Sequence, residues 1–90
     1  MIKRTATIKN KLGLHARPAA LIVTTAAKFE SEFFITKDGF RVNGKSIMGV
    51  MMLAAEKGSK LVLELDGPDE EEAAKAILDV IDSGFGEPTV

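Results

Sequence analysis

His15 is the only histidine of the chain, and no cysteine accompanies it. A lone histidine is by default a structural hydrogen-bonding residue, but the run Gly13-Leu14-His15-Ala16-Arg17-Pro18 gives three reasons to weigh chemistry there. Pro18 is tolerated only in the first turn of a helix. That sets His15 just ahead of a helix N-terminus, where unpaired N–H groups and the positive end of the dipole form an anion site. Arg17 adds a planar guanidinium that can make paired hydrogen bonds to phosphate oxygens. Third, every charged side chain in residues 1–29 is basic (Lys3, Arg4, Lys9, Lys11, Arg17, Lys28), so no carboxylate is expected near His15 to repel a phosphate. Neutral imidazole offers a nucleophilic nitrogen that can attack phosphorus in line and form a phosphoramidate, a bond reactive enough to be passed onward. A metal site is not expected, because one histidine without cysteine falls short of the usual ligand set.

Three other groups of residues invite a chemical reading. Ser46 is a good helix N-cap, which already accounts for it. Beyond Ser46, Ile47, Val50, Met51 and Ala54 make a core stripe at helical spacing, and Met48, Met52 and Ala55 form a second apolar row. Both rows cannot easily face one sheet. Either the helix is buried on two sides, or the second row is an exposed patch whose flexible methionines adapt to several partners. The acid run Asp69-Glu70-Glu71-Glu72 is explained by capping and dipole complementarity and is assigned no chemistry.

The elements that must position these groups follow from periodicity. Residues 2–8 alternate, with Ile2, Ala6 and Ile8 on one side, as a half-buried strand does. From Ala16 to Lys28, Ala19, Ile22, Val23 and Ala26 mark the buried face of an amphipathic helix. Residues 32–37 and 40–43 read as antiparallel strands joined by Asp38-Gly39, a tight hairpin dipeptide. A short helix is expected from Ser46 to near Lys57-Gly58. Leu61, Leu63 and Leu65 define a fourth strand, closed by Gly67-Pro68. A last helix follows, with Asp69 and Glu72 as a capping box, a stripe of Ala74, Ile77, Leu78 and Ile81, and Gly84 as its stop. The order strand, helix, strand, strand, helix, strand, helix implies an α+β fold, with helices on one face of a largely antiparallel sheet.

Ninety residues, of which 46% are hydrophobic, suit one packed domain over 1–90, with 86–90 expected as a loose tail. The chain's net charge of -1 conceals a basic N-terminal third and an acidic stretch over 66–87. The basic part could attract phosphate or an acidic protein surface. Nucleic acid is not expected as a partner, since it calls for a more basic domain with stacking aromatics, and aromatics here are 6%, all phenylalanine. No apolar run is long enough to span a bilayer or act as a signal peptide. Together with the absence of cysteine, this points to the cytoplasm.

The motifs Gly13-Leu14-His15-Ala16-Arg17-Pro18-Ala19 and Lys45-Ser46-Ile47-Met48-Gly49-Val50-Met51, at this spacing, resemble the HPr phosphocarrier family of the bacterial phosphoenolpyruvate-dependent phosphotransferase system. The resemblance covers essentially the whole chain. It implies an open-faced β-sandwich of four antiparallel strands and three helices. It implies that His15 accepts phosphate on Nδ1 from enzyme I and donates it to enzyme IIA components, with Arg17 as phosphate partner. No cofactor is bound in that family; phosphoenolpyruvate and magnesium are used by the upstream enzyme I. Ser46 would be a regulatory site for an HPr kinase/phosphorylase. Partners would dock on Ala16, Ala20, Ile47, Met48, Gly49, Met51 and Met52, against a monomer, and Ala54 stands where many relatives carry glycine. Two other classes have distinguishing marks: an acylphosphatase-like hydrolase using Arg17 and Asn43 would not need His15, and a pure interaction module would act through Ser46 alone. The pathway, whether sugar uptake, a nitrogen-related branch or a regulatory relay, is left open by these residues.

Overall fold

The computed structural model describes residues 1–90. Its elements run β1 (Ile2–Thr7), α1 (Ala16–Ala26), β2 (Glu32–Lys37), β3 (Phe40–Asn43), α2 (Ile47–Met52), β4 (Lys60–Asp66) and α3 (Glu70–Asp82), followed by a 3-10 turn over Gly84–Gly86. The four strands form one antiparallel sheet in the order β1-β4-β2-β3. The helices cover one face and leave the other open, the open-faced sandwich expected.

The period of two sets the buried face. Leu61, Leu63 and Leu65 of β4 are buried, and opposite them stand Ala6 of β1 and Phe33 and Ile35 of β2. Against this surface pack Ala19, Ile22 and Ala26 of α1 and Ala73, Ala74, Ile77 and Ile81 of α3, while Val23 and Leu78 are only partly buried. Asp38 and Gly39 both adopt positive φ, 50° and 82°, which matches the twist of a two-residue hairpin between β2 and β3. Part of the charge asymmetry of the sequence is cancelled in space. Because β1 lies under α3, Arg4 meets Glu71 at 3.3 Å and Lys9 meets Asp82 at 3.6 Å.

Three expectations need correction. The second helix ends at Met52 rather than near Lys57, because Ala54 turns into the left-handed region at φ 48°. With so short a helix, Val50 and the following Leu53 reach the core, whereas Ile47, Met51 and Ala54 of the expected stripe do not. The Asp69–Glu72 capping box is not formed. The Asp69 carboxylate instead accepts from the backbone N–H groups of Glu30 and Ser31 and from the Ser31 hydroxyl, and Glu70 caps the turn by accepting from Gly67 N at 3.1 Å. The end of the chain, expected as a loose tail, folds back on the loop before α1: Phe85 is buried, and Pro88 O accepts from Lys11 N at 2.8 Å.

An alanine with positive φ is strained relative to glycine by about 1 kcal/mol. Ala54 is exposed, so little packing offsets that strain. Ala54→Gly should therefore raise stability by about 0.5–1 kcal/mol in urea unfolding, and a loss of stability would show that the methyl group contributes packing that outweighs the strain.

Candidate functional site

Gly13 shapes the approach to α1. Its φ is 73°, and a Cβ there would lie 2.6 Å from Ala55 O. This close approach lets Leu14 N donate to the same carbonyl at 2.8 Å and buries the Leu14 side chain. His15 follows in extended conformation as the N-cap of α1, its carbonyl accepting from Ala19 N at 3.0 Å and its imidazole making no cap bond. Pro18 occupies the first turn, as required. The imidazole thus stands at the positive end of an eleven-residue helix, free of structural duty in the helix itself.

The expectation of a carboxylate-free site is wrong. Glu87, carried in by the returning chain end, places its carboxylate between the two site side chains. Oε1 lies 3.0 Å from His15 Nε2 and accepts from Asn10 Nδ2 at 3.0 Å. Oε2 accepts from Arg17 Nη1 at 3.0 Å, and the same Nη1 donates to Phe85 O at 3.1 Å. The His15 hydrogen bond, followed by those from Asn10 and Arg17, holds the Glu87 carboxyl below its ordinary value, against desolvation that pushes the other way. It is therefore ionised near neutral pH. Asn10 is fully buried and also donates Nδ2 to Gly13 O at 2.7 Å, tying the carboxylate to the loop that carries His15.

Sequence reading missed Glu87 and Asn10. The signal was the Gly84-Phe85-Gly86 stretch: a phenylalanine set between glycines near the chain end is an apolar anchor with turns on both sides. Phe85 does anchor the segment, at φ 57° with 3% of its surface exposed. The physical reason for the error is that the basic character of residues 1–29 is a property of the sequence, while the acid comes from a residue 72 positions away.

Ser46 is the N-cap of α2, its Oγ accepting from Gly49 N at 3.1 Å. Next to it Lys45 donates Nζ to Phe29 O at 2.8 Å. Met48 and Met52 are exposed, at 74% and 64%, and Ile47 and Met51 expose about two fifths of their surface, at 43% and 41%. Ala55, expected in the same row, is buried beneath the Gly13–Leu14 turn. The helix is therefore not enclosed on two sides. It presents four large apolar side chains to solvent on an element packed against α1, beside Ala16, which is exposed, and Ala20 and Gly49, which are half-buried. No group of three or more His, Cys, Asp or Glu side chains converges as a metal site would require, and no helix is long and apolar enough to cross a membrane. Asn43 Oδ1 accepts from Lys45 N at 2.8 Å while Arg17 donates to Phe85 O and Glu87, so the arginine and asparagine of the hydrolase alternative are each engaged elsewhere.

Residues 2–83 match the family model described as the PTS HPr component phosphorylation site. The phosphocarrier protein HPr of Neisseria meningitidis is 55% identical over 87 residues, covering 97% of this chain and 98% of that one. A crystal structure of HPr-C-His from Thermoanaerobacter tengcongensis superposes with a TM-score of 0.92 at 55% identity, covering 97% of this chain and 98% of that one. A structure described as an HPr dimer from the same organism gives a TM-score of 0.78 at 55% identity, covering 97% and 100%.

Proposed function

This chain belongs to the HPr family of phosphocarrier proteins, and from that premise we propose that it accepts a phosphoryl group on His15 from enzyme I and passes it to enzyme IIA-type acceptors. The observation that carries the proposal is the pair His15 and Arg17 closing on one carboxylate at a helix N-terminus. A half-exposed imidazole at a helix N-terminus, beside a guanidinium that engages Glu87 and Phe85 O through Nη1 alone, leaves N–H donors of the kind that recognise phosphoryl oxygens. The protein acts as a carrier rather than an enzyme and needs no bound cofactor, phosphoenolpyruvate and magnesium being consumed at enzyme I. The working unit proposed is one domain over residues 1–90, as a monomer in the cytoplasm.

The test of the carrier role is onward transfer. Phosphorylated protein, freed of enzyme I and mixed with a IIA acceptor, should lose its phosphate to that acceptor. Release as inorganic phosphate at an unchanged rate, with or without the acceptor, would favour a hydrolase instead.

The exposed row Ile47, Met48, Met51 and Met52, with Ala16, Ala20 and Gly49, is proposed as the surface on which enzyme I and IIA proteins dock. Apolar side chains left in water on a helix beside the reacting residue serve transfer between proteins better than they serve the fold. Replacing Met48 and Met52 together by serine should weaken enzyme I binding about tenfold or more. Stability should stay within about 0.5 kcal/mol, because both residues are exposed. Unchanged affinity in titration calorimetry would place the docking surface elsewhere.

Ser46 is proposed as a regulatory phosphorylation site for a kinase of the HPr kinase/phosphorylase type. Its hydroxyl already faces the start of α2, so a phosphate is accommodated locally while adding negative charge at the edge of the docking surface. Ser46→Asp should slow phosphoryl acceptance from enzyme I about tenfold, through repulsion of an acidic partner. Equal rates for Ser46 and Ser46→Asp would remove this regulatory role.

A further inference from the structure

We propose that Glu87 is a positioning residue for phosphoryl transfer: its carboxylate holds His15 in the Nε2–H tautomer, which leaves the Nδ1 lone pair free to attack phosphorus, and it holds Arg17 beside the ring. The inference rests on the carrier reading for its consequence in transfer, but the tautomer is a property of the unphosphorylated protein alone.

An ionised carboxylate only accepts hydrogen bonds, and Glu87 is ionised near neutral pH for the reasons given above. Its Oε1 lies 3.0 Å from His15 Nε2. An unprotonated Nε2 would set a lone pair against a carboxylate oxygen, so Nε2 carries hydrogen. Neutral imidazole has one N–H, and Nδ1 is then the nucleophilic nitrogen. A carboxylate that fixes a histidine tautomer in this way is a general device at catalytic and metal-bound histidines.

The carboxylate is itself held in place by groups other than the imidazole. Asn10 Nδ2 donates to Oε1 at 3.0 Å and to Gly13 O at 2.7 Å, so the orientation of its amide is fixed by two acceptors. Arg17 engages Oε2. The segment that carries Glu87 is anchored by buried Phe85, by Glu87 N donating to Gly84 O at 2.9 Å and by Lys11 N donating to Pro88 O at 2.8 Å. Only 13% of the Glu87 side chain is exposed, which is uncommon for a glutamate near a chain end.

The electron and proton balance of the step follows. Nδ1 gives its lone pair to phosphorus, and the bond from phosphorus to the donor protein's own atom breaks, its pair staying with the donor. No proton need leave His15, because Nδ1 carries none. The ring gains positive charge as the new bond forms, and the Nε2–H facing Glu87 is where that charge is balanced. In onward transfer the pair returns to Nδ1 as the acceptor attacks. Arg17 reaches Glu87 and Phe85 O through Nη1 alone and is 60% exposed, so its remaining N–H groups are available to phosphoryl oxygens.

The test records imidazole 15N resonances of unphosphorylated wild type, Glu87→Gln and Glu87→Ala at a pH of about 9, where imidazole is neutral, and measures phosphoryl acceptance from enzyme I in parallel. Wild type should show only the Nε2–H tautomer. Glu87→Ala should show a clear Nδ1–H population and a rate constant lower by about tenfold, with KM for the donor changed less than about twofold. Glu87→Gln, nearly isosteric, can still accept from Nε2–H and should keep the tautomer while losing rate with the charge, which also controls for any unfolding of the alanine variant. A mixed or Nδ1–H tautomer in wild type, or a Glu87→Ala protein whose tautomer and rate match wild type, would overturn the proposal. Failure of wild type to accept phosphate, with the tautomer change still present, would contradict the carrier reading and uphold the tautomer lock.

Discussion

His15→Ala is expected to reduce phosphate acceptance from enzyme I to an undetectable level while leaving the fold intact. The chain has one histidine and no cysteine, so no second imidazole and no thiolate is present to take over the transfer. The fold should survive for reasons visible at the site. The imidazole makes no cap bond to α1, its side chain is 40% exposed, and the backbone bonds of residue 15, to Gly13 O and from Ala19 N, do not depend on the side chain. What is lost is the contact with Glu87, whose carboxylate retains Asn10 and Arg17. A change in stability within about 1 kcal/mol follows. Residual acceptance above a few per cent of the wild-type rate would mean that another residue is the acceptor. Unfolding of the variant would return His15 to a structural role.

Gly13→Ala carries the largest expected loss of stability among the substitutions considered. Two penalties coincide at this position. Alanine at φ 73° is disfavoured by about 1–2 kcal/mol. Its Cβ would also stand 2.6 Å from Ala55 O and 3.1 Å from Glu56 Cα, both backbone atoms that can yield only by moving the chain after α2. Such movement strains or breaks the hydrogen bond from Leu14 N to Ala55 O, a net loss of about 1 kcal/mol. The total, about 2–4 kcal/mol, should lower the melting temperature by more than about 8 °C in a domain of this size. Gly39→Ala separates the two penalties, since φ there is 82° but nothing lies within 4 Å of the added methyl, so only the conformational part should appear. Equal destabilisation by both substitutions would show that the clash at Gly13 relaxes without penalty. The consequence for function is direct, because Gly13 sets the loop that carries both His15 and the carbonyl that anchors Asn10.

What could be read from the sequence divides along the range of the interactions involved. Strands β1 and β4 and helices α1 and α3 were legible because one face of each is buried in a single core, and burial writes a period of two or of 3.6 into the residues. The hairpin was legible because Asp-Gly is a local device. The position of His15 at a helix start was legible for the same reason, since Pro18 restricts its own backbone. The end of α2 was not, because the residue that leaves the helix is Ala54, the type most favourable to a helix interior, and nothing local announces its positive φ. The cap of α3 failed differently. Asp69 and Glu72 had the right spacing, but Ser31 and the backbone of Glu30 lie close enough in the fold to claim the Asp69 carboxylate. Glu87 belongs with Asp69: in both cases the partner is distant in sequence, and charge along the chain did not foretell charge in space. The four apolar side chains of α2 were visible as a pattern too rich for one face. Whether they were buried or exposed needed the structure, which shows them exposed.

Uptake of a phosphoryl group by His15 is measured by incubating the protein with enzyme I, phosphoenolpyruvate and magnesium and following intact mass, acid lability and the 31P spectrum. One phosphoryl group per chain is expected, acid-labile as a phosphoramidate is, with a phosphorus resonance coupled to the His15 ring. An acid-stable adduct, a phosphate located on any other residue, or no adduct with the cognate enzyme I shown to be active, would contradict uptake at His15.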